Sequence, residues 1–499
     1  MRPKGHTGGG RRRIRSRLAA MLAAAGVLAL PASAQALDLS GLVAQPVGPD
    51  ATQAGGHKDF HIHMDFAGGQ VKDLTIGLPP GMVGDPNAAP LCTVEQLNAD
   101  GCDPATKVGS VVANATVTVV AVPVTLNVSG DLYNVVAQPG EPARFGIVLR
   151  PVKGDLCQIL NNQTLCDLIP NVLPPVILQS AVQLRPDYGL NTIINDIPNS
   201  TSGLATTINS QDITLFGTAP GTGKSFMRNP TSCKEHTTSF TAVPYTGATD
   251  TGTAKFTTTG CDNLDFSPSF TAFVGGPGQT ASGVPTSAST SIDQDLDEAG
   301  LIRAAVTVPS DFNPNVTLFG GACDVAAFEA ANCPASSVVG SAVAASPLLS
   351  QPLVGPVQLV NSGNQFPDVG LNLQGQLHLL LRGSLDITKT TTFDGLPDIP
   401  ISHFQLTFTN PPALLGTSRD LCVGPPPVFH AEFQGYNGAS TSVDSPATVD
   451  GCGASGTGTG TKAKCKKAKK KKHKHRSASS AKKKHKKKSC KKKRKKKRR

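Results

Sequence analysis

Tryptophan is absent from this chain of 499 residues, only four tyrosines occur, and aromatic side chains make up 5% of it. That scarcity argues against a sugar-binding cleft built on stacked rings. No C-x-x-C knuckle occurs among the twelve cysteines, so zinc-ribbon chemistry has no starting point. The longest apolar run, residues 18–30, is about 13 residues, short of the ~20 that a spanning helix needs. Acid is missing from both ends: residues 1–36 hold seven Lys/Arg and residues 462–499 hold 25, with no Asp or Glu in either.

Between those ends the balance reverses. Residues 37–461 carry 15 basic residues against all 35 acidic ones, a net charge of −20 beside a tail of +25. Body and tail are therefore separate electrostatic objects. At the start, a basic stretch (Arg11 to Arg17), the apolar run and small residues at Ala32, Ala34 and Ala36 predict a secretory signal peptide over 1–36. Export implies a compartment in which disulfides persist. With 51 Gly and 39 Pro, the remainder suits short strands joined by turns, and the length predicts two globular units.

The chain repeats itself. Cys92 and Cys102 are separated by nine residues and followed by Pro104, Val108, Gly109 and Ser110; Cys323 and Cys333 repeat the gap, followed by Pro334, Val339, Gly340 and Ser341. Each half ends on a wider pair, Cys233 to Cys261 and Cys422 to Cys452, enclosing "YTGATDTG…TTTGC" and "YNGASTSV…TVDGC". Spacing alone does not determine cysteine connectivity. Two copies of one fold must repeat their pairing, however, and the simplest solution that repeats is Cys92–Cys102, Cys233–Cys261, Cys323–Cys333 and Cys422–Cys452. Cys157 and Cys166 then pair within an insertion near 151–180 that only the first half carries. Cys465 and Cys490 have no repeat partner.

Alternation of period two is clear at Phe60, Ile62, Met64 and Phe66, and Val/Thr-rich strand candidates recur from residue 71 to residue 434. One helical element is expected in each half, between the nine-spaced cysteines, with Thr93 and Asp324 as caps, Gln96 completing a capping box, and Leu97 and Phe328 pointing inward. The fold class expected is all-β: two tandem related β-sandwich units, Ig-like or jelly-roll-like, with short disulfide-clipped helical turns and disordered termini. The organisation expected is signal peptide 1–36, first repeat 37–262, second repeat 263–453, Gly/Thr linker 454–461 and disordered polybasic tail 462–499.

Several motifs invite chemistry. "TAPGTGKS" (Thr218 to Ser225) resembles a phosphate-binding loop, but Thr218 stands where the motif needs glycine and Pro230 soon follows, so a loop between strands is expected. His61, His63 and Asp65 would share one strand face, near His57 and Asp59, as metal ligands or as a wet face. Asp293, Asp295 and Asp297 have the alternate spacing of a calcium loop, with Glu298 and Ala304 at the positions that need Gly and Glu; a polar hairpin tip is expected. No nucleophile elbow, Cys/His pair or recognisable carboxylate pair is present. No catalytic residue, metal ligand or cofactor is therefore assigned.

The tail holds no apolar side chain larger than Ala apart from Cys490 and Cys465, so it cannot bury a face. Lys466, Lys467, Lys482, Lys483, Lys491, Lys492, Arg494, Arg498 and Arg499 are candidate polyanion contacts. Anionic cell-wall or surface polymers are the expected partner, with no groove-reading nucleic-acid module and no membrane span. The Leu78-Pro79-Pro80-Gly81 stretch, the Cys-Cys step followed by Pro and Val-Gly, and the lysine-rich end together resemble uncharacterised secreted β-repeat proteins of actinobacterial type. The resemblance covers most of residues 37–453, implies no activity, and lapses where the second half reads Val308-Pro309-Ser310-Asp311-Phe312 in place of Leu78-Pro79-Pro80-Gly81-Met82. The function expected is a secreted, non-enzymatic structural or adhesive protein of the cell envelope; the alternative is a secreted hydrolase or binding module for polysaccharide, tethered by the tail.

Overall fold

The computed structural model describes residues 36–171 and 173–452. The expected signal peptide up to residue 35, the linker, Cys465, Cys490 and all the tail lysines and arginines lie outside the described residues. Within them the chain is all-β, with only short helices.

Two large sheets form, one of 12 strands and one of 13. In the first, Asp38–Val47 leads through Asp59–Ala67, Leu204–Leu215, Lys107–Val119, Val122–Val135, Arg144–Leu149, Val176–Leu184, Leu190–Ile194, Val71–Leu78 and Glu235–Pro244 to Asp250–Thr257. The second runs in the same order from Ser269–Gly275 through Ala288–Asp293, His403–Phe408, Val338–Ala345, Leu353–Asn361, Asp368–Gln374, His378–Leu385, Thr390–Asp394, Leu301–Thr307 and Val428–Gly435 to Ser440–Pro446. Eleven strands thus correspond one to one, crossovers included. Both sheets curl until their ends meet. Leu39 N–H donates to Asp250 Oδ2 at 2.8 Å in the first, and in the second Thr448–Asp450 returns to pair in parallel with Phe273–Gly275. The inner faces pack on themselves. Phe60, Ile62, Met64 and Phe66 all point into the first core, and Phe270, Phe429 and Phe433 into the second.

Smaller features repeat as well. Thr93 and Gln96 make the full capping box of the helix Val94–Asn98; Asp324 caps Val325–Glu329 without a side-chain bond. Leu97 and Phe328 are buried beneath these turns. The turns after Leu78 and Val308 close on corresponding hydrogen bonds despite their different residues, Met82 N–H on Pro79 O and Phe312 N–H on Pro309 O. Tyr245 and Tyr436 each donate a hydroxyl hydrogen bond, to Ile197 O at 2.8 Å and to Leu396 O at 2.6 Å.

The sheets meet at a buried polar joint. Asp398, in the second half, accepts Thr231 N–H at 2.8 Å and the Thr231 hydroxyl, which in turn accepts Gly300 N–H at 3.0 Å. Burial pushes the Asp398 carboxyl up, opposed by the Thr231 hydrogen bonds and the charge of Arg228. Gly81, at φ +88°, leaves room for this carboxylate: a Cβ there would stand 2.6 Å from Asp398 Oδ2. The first-half turn therefore needs glycine where the second half has Asp311.

Candidate functional site

Among the described residues five disulfides join Cys92 to Cys102, Cys157 to Cys166, Cys233 to Cys261, Cys323 to Cys333 and Cys422 to Cys452. The two nine-residue clips are alike, with Cα–Cα separations of 5.5 and 5.3 Å. Cys92 and Cys323 are both buried, against Leu97 and Phe328 respectively.

The phosphate-loop look-alike is a tight reversal of the chain. Thr218 bridges Ser225, Ala219 O accepts Gly223 N–H, and the strand Met227–Arg228 follows, so no helix N-terminus forms there. On the first sheet His61 and His63 do share the outer face, and they meet an aspartate from the neighbouring strand that the linear pattern could not reveal. His63 Nδ1 lies 2.9 Å and His61 Nε2 3.5 Å from Asp212 Oδ1, with Asp65 Oδ1 3.4 Å from His63 Nε2. Burial opposes the His63 imidazolium, but the hydrogen bond and charge of Asp212, aided by Asp65, outweigh it and lift the pKa above 6.5. His57 and Asp59 are taken up by backbone partners, Met227 O and Gly217 N–H.

Asp293, Asp295 and Asp297 do not crown a hairpin. The strands they join, Ala288–Asp293 and Leu301–Thr307, pair with different neighbours, so residues 294–300 carry the chain from one wall to another. Asp293 turns to His403 at 2.6 Å, while the buried Glu298 accepts Ser267 N–H at 3.0 Å. Among the described residues no group of three or more His, Cys, Asp or Glu is placed to hold a metal ion.

Besides an open polar groove of ≈ 830 Å³ lined by Glu141, Arg185, Tyr188, Glu329 and His378, an apolar chamber lies inside each curled sheet. That of the second sheet has a volume of ≈ 120 Å³ and is walled by Leu371, Leu379, Leu381, Phe393, Phe404 and Leu406, among others. No charged side chain lines it; Thr290, Gln294, Ser346 and Thr391 are its polar members. The first-sheet chamber, of ≈ 60 Å³, lies between the corresponding strands, walled by Ala115, Leu126, Leu149, Leu178 and Ile208. Pro151, Leu156 and Leu173 reach it from the insertion. Sequence reasoning located the insertion but not these chambers, because inward alternation marks a core whether or not the core is filled.

The insertion explains the difference in size. Residues 150–175 connect Arg144–Leu149 to Val176–Leu184 and form helices Lys153–Leu160 and Gln163–Asp167, clipped by Cys157–Cys166. In the second sheet the same connection is the short turn 375–377. Leu156 and Ile169, both 2% exposed, pack on Val117, Val119, Val124 and Leu126 and close the first barrel at that end. Around the second chamber Leu349, Leu377, Leu379 and Phe404 remain only partly buried.

No known protein family and no curated protein matches the chain. Among solved structures, a protein of Corynebacterium diphtheriae described as membrane anchored is similar over 83% of this chain and 95% of its own, at 9% identity and a TM-score of 0.18. A likeness that low carries no conclusion about fold or function.

Proposed function

We propose that the protein is exported and acts, without catalysis, as a structural or adhesive component of the cell envelope, held to anionic surface polymers by its C-terminal tail. The five disulfides carry this reading, since such bridges persist in oxidising compartments outside the cytosol. No described helix is long and apolar enough to cross a membrane. The 25 Lys/Arg of residues 462–499 offer a means of retention. Basic residues near an anionic surface contribute about 1 kcal/mol each, so engagement of a few holds the molecule, and salt screens the attraction over ~8 Å.

Cell fractionation tests it. The full chain is expected in the envelope fraction and to be released by high salt, and a chain ending at residue 461 is expected in the medium. Equal retention of the truncated chain, resistant to salt, defeats the proposal.

A further inference from the structure

The geometry points to the chamber of the second sheet as a binding site for a single aliphatic chain carried on an uncharged head group. The first observation is chemical. A chamber of ≈ 120 Å³ without one charged side chain in its wall offers no counter-charge to an ionic ligand. An apolar cavity of about 150 Å³ stays dry and takes up benzene, so this one has room for the last several carbons of an alkyl chain.

The second observation comes from the duplication. At the corresponding place in the first sheet, the protein's own Leu156 and Leu173 reach the chamber from the insertion. The first copy thus supplies aliphatic groups from its own sequence. The second copy, with only the turn 375–377 there, sends no insertion into its chamber, which is ≈ 120 Å³ against ≈ 60 Å³ in the first.

The third concerns entry and head group. Ala288–Asp293 and Val338–Ala345 both pair antiparallel with His403–Phe408, which sets Ile292, Ala344 and Phe404 level near one end of the barrel. Gln294 and Ser346 follow where these two strands stop, and Leu349 and Leu377 lie on the adjoining turns, partly buried. Exposed Asp293, Asp295 and Asp297 flank Gln294. A carboxylate head would meet their charge, whereas a glycerol or sugar head can hydrogen-bond to Gln294 and Ser346. Gln376 Nε2 donates to Pro142 O at 3.0 Å, so the first half steadies the turn at this mouth.

The absence of tryptophan makes a clean test possible. Phe393→Trp places one reporter on the chamber wall, and Leu178→Trp places one in the first chamber. Each full-length variant is titrated with 1-acylglycerols brominated at the chain end, below their aggregation concentrations. Saturable quenching is expected at 393 and not at 178, with affinity rising about fourfold per added methylene until the chamber is full. In the unmodified protein the same 1-acylglycerols are expected to displace N-phenyl-1-naphthylamine, and Ala344→Phe to abolish that displacement while the thermal transition persists. Quenching that is equal at both positions, or an affinity indifferent to chain length, overturns the inference. So does displacement that survives Ala344→Phe.

Discussion

Phe328 packs directly on Gly370: a Cβ at that glycine would stand 2.6 Å from Phe328 Cε2. The first half has the same arrangement, with Leu97 seated on Gly146 so closely that a Cβ there would collide with Leu97 Cδ1. The disulfide-clipped turn is thus keyed into the sheet by a missing side chain. Gly370→Ala is expected to cost about 1–3 kcal/mol, as overpacked cores do, read as a lower urea midpoint. A midpoint equal to that of the unmodified protein contradicts the packing.

Tyr436→Phe removes one hydrogen bond to Leu396 O and nothing else, and Tyr245→Phe does the same at Ile197 O. Each is expected to lower stability by about 1 kcal/mol. Burial, with the nearby Asp398 charge, pushes the Tyr436 hydroxyl up to about 12. Ultraviolet titration of the folded protein should therefore lose its latest-ionising phenol in the Tyr436→Phe variant.

Thr231→Val keeps the shape of the joint but strips the hydroxyl that donates to Asp398 and accepts from Gly300. With a buried carboxylate and a buried amide left short of partners, a loss of about 1–3 kcal/mol is expected. Differential scanning calorimetry of the variant checks it. An unchanged transition temperature would mean that the joint is not stabilising.

His63 gives a pH dependence with a definite sign. Its folded pKa lies above 6.5, so the folded state holds the proton more tightly than the unfolded state does. The stability it adds is complete below that ordinary value and is lost as pH rises through the folded pKa. Asp212→Asn should return the His63 midpoint, followed by proton NMR, toward or below 6.5. A midpoint unmoved by that substitution rules out Asp212 as its main support.

Much of this architecture was legible in the residues. Period-two alternation at Phe60 to Phe66 marked an inward strand face, since side chains on a strand point to alternate sides. The equal steps of Cys92/Cys102 and Cys323/Cys333, with Val-Gly after each, announced a copied unit. What stayed hidden was whatever depends on residues far apart in the chain. Asp212 joins His61 and His63 only because Leu204–Leu215 pairs with Asp59–Ala67. Asp293 and its neighbours read as a hairpin tip, yet they span two walls, because sequence neighbours need not be sheet neighbours.

Local chemistry, then, determined strand content, the repeat and the charge opposition of body and tail, for these follow from composition and short-range spacing. Only tertiary structure decided that each sheet curls back on itself, that Gly370 and Gly146 exist to seat Phe328 and Leu97, and that an insertion narrows the chamber of one barrel while its twin keeps a larger one. Curling and filling depend on which distant strands face one another across the interior, and no window along the chain contains both sides of that gap.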